Sequence, residues 1–381
     1  MRGTDPVTPV FLSILSSPGK LGFYRNLDSE PGEIAGMLTD ADFKVQEHIA
    51  GIYGDEPVRA AERIIERCCK SSFRIISYWD PDYPPLLKEI HRPPIVLYVR
   101  GEFHNCNMIS IVGTRNSDRN SEDIAARISS ALSIRGFTIV SGMAYGIDRF
   151  AHLGALSSGG STVGVLPGGI DGIYPYRNRD LYEMVERSRS SSLVSEYPPS
   201  VPCGQKWTFT QRNRIISGLS SALIVIQAPR ESGAMITARY AIEQNRDLFV
   251  CPGNSFDRKY EGCHDLLKEG AAIISSMDDI ISEVSPGDNP GHETADITPV
   301  PLSGSFQAAA SPVKQRGGSL DLSTYAGVER DILQNLNVQG VEIDTFIRSH
   351  GYTAEEVSGA LISLEIAGVI IRRGNSISLK T

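Results

Sequence analysis

Seven short apolar runs, each closed by glycine, proline or a polar turn, constrain this chain more than any other feature. They are "MISIVG" (108–113), "FTIVSG" (137–142), "STVGVLPGG" (161–169), "SLVSEY" (192–197), "ALIVIQA" (222–228), "DLFVCPG" (247–253) and "AAIIS" (271–275). Their valines and isoleucines follow one another without strict alternation, the pattern of strands covered on both faces. Helical periodicity fills the gaps. "SEDIAARISSALSIRG" (121–136) and "GIDRFAHLGALSSGG" are both apolar at helical spacing and stopped by glycine. This alternation predicts an α/β chain: a doubly wound, mostly parallel sheet, Rossmann-like in the broad sense.

The 381 residues leave room for two or three domains. Residues 1–85 are mostly helical by pattern, as in "VRAAERIIERCCK", and 86–284 hold the sheet. Within 285–320 lie 5 Pro, 5 Gly and 5 Ser without periodicity, so 285–324 is expected to be a flexible linker. Residues 325–381 offer three helical patterns followed by "VIIRRGNSISLK", a hairpin with a Gly-Asn turn, which together predict a winged helix. No apolar run approaches the ~20 residues of a membrane span, and the N-terminal apolar stretch is too short and broken for a signal peptide. A cytoplasmic protein without membrane contact is expected. The six cysteines form no CxxC, and no Cys/His grouping has metal-site spacing.

The formal charge of −8 hides an uneven distribution. Residues 1–60 carry 5 Lys/Arg against 9 Asp/Glu, whereas 201–260 carry 8 against 4. One localised anion-binding surface is compatible with this balance, and a coat of nucleic acid over the whole surface is not.

In a doubly wound sheet, ligands bind beyond the carboxyl ends of the strands. The turns there are "VGTRNS", "SGMAYGID", "LPGGIDGIYP" and "PRESGAMIT", with Arg115 supplying a fork suited to phosphate. No GxGxxG follows the first strand, and Walker A is absent, so no nucleotide cofactor is expected. Asp148 and His152, four residues apart on one helix, could be an acid/base pair or a helix contact. Asp171, Asp180 and Glu196 lie near turns without paired-carboxylate spacing. "QKWTFTQRNRIISG" interleaves Lys206, Arg212 and Arg214 with Trp207 and Phe209, which suits a single-stranded nucleic acid: cations to phosphates, rings or Asn213 to bases. The competing reading pairs an arginine with a carboxylate of the core while Trp207 packs.

"ISIVGTR", "IVSGMAYGIDRFAHLGAL", "GVLPGGIDGIYPYRNRDL", "SEYPP", "QRNRIISGLS", "SGAMITARYAIEQNRDLFVCPG" and "GCHDLLKEGA" occur in the order found in the DNA-processing protein A family (DprA, or Smf). The chain resembles that family over about 74–284. The resemblance implies an extended Rossmann fold that binds single-stranded DNA, forms homodimers, protects incoming DNA in natural transformation and helps load the RecA recombinase. It implies no enzymatic activity. By position it assigns the DNA pocket to the Gly113-Thr114-Arg115 turn, the Ser141-Gly142 turn and a Gln211-Arg212-Asn213-Arg214 loop, with Lys206 beside them. Thr210 replaces the family's usual proline. The N-terminal region is sterile-alpha-motif-like by position and lacks a helix-hairpin-helix spacing.

Two other functions remain in view. "LPGGIDGIYP" resembles the PGG turn of nucleoside-monophosphate phosphoribohydrolases, but lacks the GT and the glutamate of their PGGxGTxxE. A winged-helix transcription factor is disfavoured, because 351–371 contain no Lys or Arg to meet phosphates. The C-terminal unit is expected to contact protein or to give auxiliary DNA contact.

Overall fold

The computed structural model describes residues 7–15, 57–105, 107–203, 206–284, 341–342, 357, 370–373 and 376–379. The chain divides into two compact units, 1–309 and 310–381.

The large unit is built on one nine-stranded sheet. Its strands are β1 (Arg74–Ser77), β2 (Val96–Gly101), β3 (Met108–Val112), β4 (Thr138–Ser141), β5 (Thr162–Val165), β6 (Ser192–Ser195), β7 (Ala222–Val225), β8 (Asp247–Val250) and β9 (Ala272–Ile273). They lie in the order β1-β2-β6-β5-β4-β3-β7-β8-β9. From β6 to β9 every pairing is parallel, as the apolar runs predict; β1 and β2 add an antiparallel margin beside β6. The described helices are α1 (Val7–Leu15), α2 (Pro57–Lys70), α3 (Pro85–Lys88), α4 (Arg119–Ile134), α5 (Ile147–Ser157), α6 (Arg179–Arg187), α7 (Lys206–Leu219), α8 (Gly233–Glu243), α9 (Glu261–Lys268) and α10 (Asp278–Ile281).

The unbroken apolar strands feed two separate layers. Met108 and Val112 of β3 and Leu223 and Val225 of β7 join Ile215, Ile216, Ala238 and Leu266 on one face. Ile109 and Ile111, with Ala222 and Ile224, join Ile128, Leu132, Ala151 and Ala155 on the other. Each fully buried aliphatic side chain contributes about 1.5–3 kcal/mol. A single polar substitution within β3 or β7 therefore damages one layer specifically.

Chain order reverses at β3, which lies between β4 and β7, so β3 marks the switch point where ligands gather in such sheets. The expected boundary at 85 falls inside this fold, since β1 already pairs with β2. Val10 and Leu12 of α1 and Ala60, Ala61 and Ile64 of α2 share a core with Val96, Tyr98 and Leu181. The rest of the expected N-terminal helical region, 16–56, lies outside the described residues, as does the expected linker.

In the small unit, β10 (Val341–Glu342), β11 (Ile370–Arg373) and β12 (Ser376–Leu379) form a sheet in the order β10-β12-β11. β11 and β12 are antiparallel with Arg373 opposite Ser376, which is the expected hairpin. Of the three helical patterns expected before it, only Glu342, which stands in β10, and Val357, which is helical, are among the described residues.

Candidate nucleic-acid interface

Segments leaving the carboxyl ends of β3, β4 and β5 meet the second turn of α7 around an open cleft of about 290 Å³. Arg115, Gly142, Ala144, Tyr145, Pro167, Tyr174, Pro175, Phe209 and Arg212 line it. The Arg212-Asn213-Arg214 triplet is therefore not in a loop before a helix, as the sequence suggests, but inside α7. Thr210 accounts for part of this difference. It keeps the backbone N–H that a proline lacks, so the helix can begin as early as Lys206.

Helical spacing sends the three side chains of the triplet apart. Arg212 is only 4% exposed, yet its guanidinium forms the back wall of the cleft. Its Nη1 donates to the Gly142 carbonyl (2.6 Å) and the Val165 carbonyl (2.5 Å), and its Nε donates to Asn213 Oδ1 (3.2 Å). Asn213 in turn donates through Nδ2 to the Gly233 carbonyl (3.2 Å). Arg214 turns the other way and pairs with Glu196. For Arg214 the competing reading of the sequence holds, and Trp207 does pack edge-on against Tyr197, centroids 6.1 Å apart.

Gly142 has a steric reason to be glycine. A Cβ there would stand 2.6 Å from Nη1 and 2.8 Å from Cζ of Arg212. At the end of β3, Gly113 leaves room for Ile147, whose Cγ1 would lie 2.4 Å from a Cβ. Arg115 follows and is exposed, with its guanidinium 4.9 Å from the centre of the Phe209 ring. Phe209 is tilted against Tyr174, centroids 5.3 Å apart. Thr114 is buried and Gln211 half-buried, while Ser141 donates its hydroxyl inward to the Ile111 carbonyl (2.6 Å). Lys206 opens α7; its side chain lies outside what is described.

Behind the cleft sits a buried electrostatic layer. Burial brings the Arg212 guanidinium down to about 10, with Asp148 and Tyr182 acting against the shift and the nearby Arg115 reinforcing it. Arg212 thus stays charged at neutral pH. Burial raises the Asp148 carboxyl, opposed by Arg212, the Ala144 N–H, Arg115 and Ser141. His152 donates from Nδ1 to Thr162 Oγ1 (2.7 Å), because that hydroxyl spends its own hydrogen on the Ile139 carbonyl. Burial, then Arg212 and Arg149, depress His152 to about 3, so it is a neutral core group. Asp148 and His152 therefore engage different partners and are not an acid/base pair. Asp171, Asp180 and Glu196 are taken up by Arg67, Arg149 and Arg214. Among the described residues no cluster of His, Cys, Asp or Glu could hold a metal ion.

Tyr145 and Tyr174 were not singled out from the sequence, although both stand in glycine-rich turns recognised there. An aromatic residue within such a turn cannot bury itself against its own short segment, and that was the available signal. Asn178 was also missed. Its Nδ2 donates to the Met143 (2.9 Å) and Ala144 (3.0 Å) carbonyls and anchors the turn after β4.

A mostly parallel sheet, with cations and rings gathered at its switch point, defines a Rossmann-type fold with a positively charged, ring-lined cleft. Within that class, the chain belongs to the DNA recombination-mediator protein A family, whose model matches residues 74–285; a DprA winged helix domain matches 320–375. It is 36% identical over 313 residues to protein Smf of Synechocystis, covering 76% of each chain. With the DNA processing protein DprA of Bacillus subtilis it shares 37% identity, over 58% of this chain and 75% of that one. The X-ray structure of DNA processing protein A from Streptococcus pneumoniae superimposes with a TM-score of 0.58 at 30% identity, covering 73% of this chain and 98% of that one. A Helicobacter pylori DNA processing protein A, solved for its single-stranded DNA binding mode, gives a TM-score of 0.50 at 28% identity over 56% and 96%.

Proposed function

We propose that this chain binds single-stranded DNA in the cleft and acts as a non-enzymatic recombination mediator, protecting incoming DNA and helping load RecA onto it. One observation carries the reading. Two guanidiniums, Arg115 at the rim and Arg212 at the back, share one cleft, and the charge of Arg115 adds to the burial that lowers Arg212, while three rings flank them. An anion between two like charges relieves their repulsion, and the rings offer π-faces to an unpaired base. Arg115 is the candidate phosphate contact, with Arg212 adding positive potential from the back wall; Tyr145, Tyr174 and Phe209 are the candidate base contacts. Gly113, Thr114, Ser141 and Gly142 shape the turns, and Lys206 at the start of α7 and Gln211 within it are further candidate contacts.

The hydrolase reading gains no support from the PGG turn. The Gly169 N–H is spent on the Val201 carbonyl (2.9 Å), and Gly168 is covered by Cys203, which stands 2.5 Å from where a Cβ would be. A homodimer is in keeping with Ile273, 51% exposed on edge strand β9. A cytoplasmic location fits a role on DNA, and residues 285–324 are read as a linker to the winged helix.

Fluorescence anisotropy with oligothymidylate and with duplex DNA, over a series of salt concentrations, tests the reading. The expected result is preference for the single strand, with log affinity falling linearly against log salt. Equal affinity for duplex, or affinity indifferent to salt, overturns it. RecA filament formation on strand already coated by single-strand-binding protein, with and without this chain, tests the loading step.

A further inference from the structure

Beyond the cleft, the carboxyl edge of the sheet carries a second aromatic, in the loop that leaves β8. Phe256 is 98% exposed, the most solvent-facing large apolar side chain among the described residues. Its loop is nevertheless braced. Asn254 Oδ1 accepts the Phe256 N–H (3.2 Å), Asp257 Oδ1 accepts the Lys259 N–H (2.9 Å), and Tyr260 fills the space over Gly253. Burying a phenylalanine is favourable by kilocalories, so a braced loop that holds one in water points to something that covers it.

The surroundings identify the occupant. Tyr260 shares a hydrogen bond (2.6 Å) with Ser121 in the first turn of α4, the helix that follows Arg115 and Asp118. Burial raises the Asp118 carboxyl, but the Ser121 and Gln227 hydrogen bonds, joined by the nearby Lys259, outweigh it and hold the carboxyl down. The Phe256 loop and the Arg115 turn are thus tied through one helix end. β8 stands two strands from β3, roughly 10 Å at the ~4.8 Å spacing of a sheet. Between and beside them lie Arg119 and Arg258, both exposed and neither in an ion pair among the described residues. Arg67, Arg74, Arg149, Arg179, Arg187 and Arg230, by contrast, each meet a carboxylate. Free cations around a presented ring are the chemistry of a single-stranded nucleic acid, phosphates outside and a base on the ring.

We propose that Phe256 is a second base-stacking platform, with Arg119 and Arg258 as its phosphate contacts. On this view one DNA strand runs from the cleft across the ends of β3, β7 and β8. The inference rests on the single-strand-binding reading and extends its site.

Anisotropy of full-length protein with a tetranucleotide and a dodecanucleotide of thymidylate tests it, using wild type, Phe256→Ala, Phe256→Leu and Phe256→Trp. A base–aromatic stack is worth about tenfold or more in affinity. Phe256→Ala is therefore expected to weaken the dodecanucleotide about tenfold and leave the tetranucleotide unchanged. Trp should restore binding and Leu should not. Equal affinity of Phe256→Ala and wild type at both lengths overturns the platform alone. Rescue by Leu also overturns it, in favour of a merely apolar contact. Equal weakening at both lengths with a lowered thermal midpoint overturns it in favour of a structural role. If wild type binds neither oligonucleotide, the function itself falls, and that outcome is read before any variant.

Discussion

The two arginines of the cleft occupy opposite physical regimes. Arg212 is buried behind Gly142, with Nη1 committed to two carbonyls, Nε to Asn213, and Asp148 close by. Arg115 stands in water and touches a ring. A buried cation costs several kilocalories in desolvation, and the fixed carbonyls and carboxylate offset that cost only if nothing moves. Arg212 is thus a scaffold that also projects positive potential into the cleft. Arg115 costs the fold little and remains free to engage a ligand. A binding site of this kind separates the cation that shapes it from the cation that engages.

The sharpest break of this contrast is Arg212→Ala. It strands the Gly142 and Val165 carbonyls and leaves Asp148 without its counter-charge. Urea denaturation should show a loss of about 3–5 kcal/mol. A loss below about 1 kcal/mol would mean that Arg212 is no scaffold.

Gly142→Ala attacks the same layer by volume. The added methyl meets a guanidinium pinned by two carbonyls, and overpacking of this sort costs about 1–3 kcal/mol. DNA affinity should fall in the same variant, because Arg212 cannot keep both hydrogen bonds. Unchanged stability and unchanged affinity together would show that the glycine is dispensable.

How much of this contrast is legible in the sequence depends on what each residue competes against. The parallel sheet is legible because Ile109, Ile111, Leu223 and Val225 need cover on both faces, and no other arrangement of such runs supplies it. The glycine turns at the strand ends follow from it. The helical setting of the triplet is not legible. Trp207, Thr208, Phe209, Thr210 and Asn213 are all weak helix formers, so local preference reads a loop; burial of Thr208, Ile215, Ile216 and Leu219 overrides it. Nor is the inward turn of Arg214, because Glu196 reaches it from the turn after β6, in a different part of the chain. The β1–β2 pairing spans a proline-rich stretch whose register only the fold supplies.

His152 probes the buried layer through pH. Its folded value of about 3 lies below the ordinary 6.5, so below pH 6.5 the unfolded chain binds the extra proton and the folded chain does not. Stability from this group is complete above 6.5 and is lost as pH falls, by about 1.4 kcal/mol per unit, down to about 3. His152→Gln should reduce the slope of unfolding free energy against pH by about one proton in that window. An unaltered slope would mean that His152 is protonated in the fold and that the layer is wetter than its burial implies.

Arg115→Ala has the smallest expected effect on the fold and completes the contrast from the other side. The variant loses one exposed cation–π contact with Phe209, worth about 0.5–1 kcal/mol. Its denaturation midpoint should therefore stay close to wild type. The affinity for oligothymidylate should nonetheless fall, and the slope of log affinity against log salt should become shallower by about one phosphate contact. Arg212→Ala cannot give that combination, because it unsettles the fold before it reports on the ligand. If Arg115→Ala instead destabilises the protein and leaves the salt slope untouched, the roles of the two arginines are reversed. The engaging cation must then be sought along the edge toward Arg119 and Arg258, where the exposed charge of this surface continues.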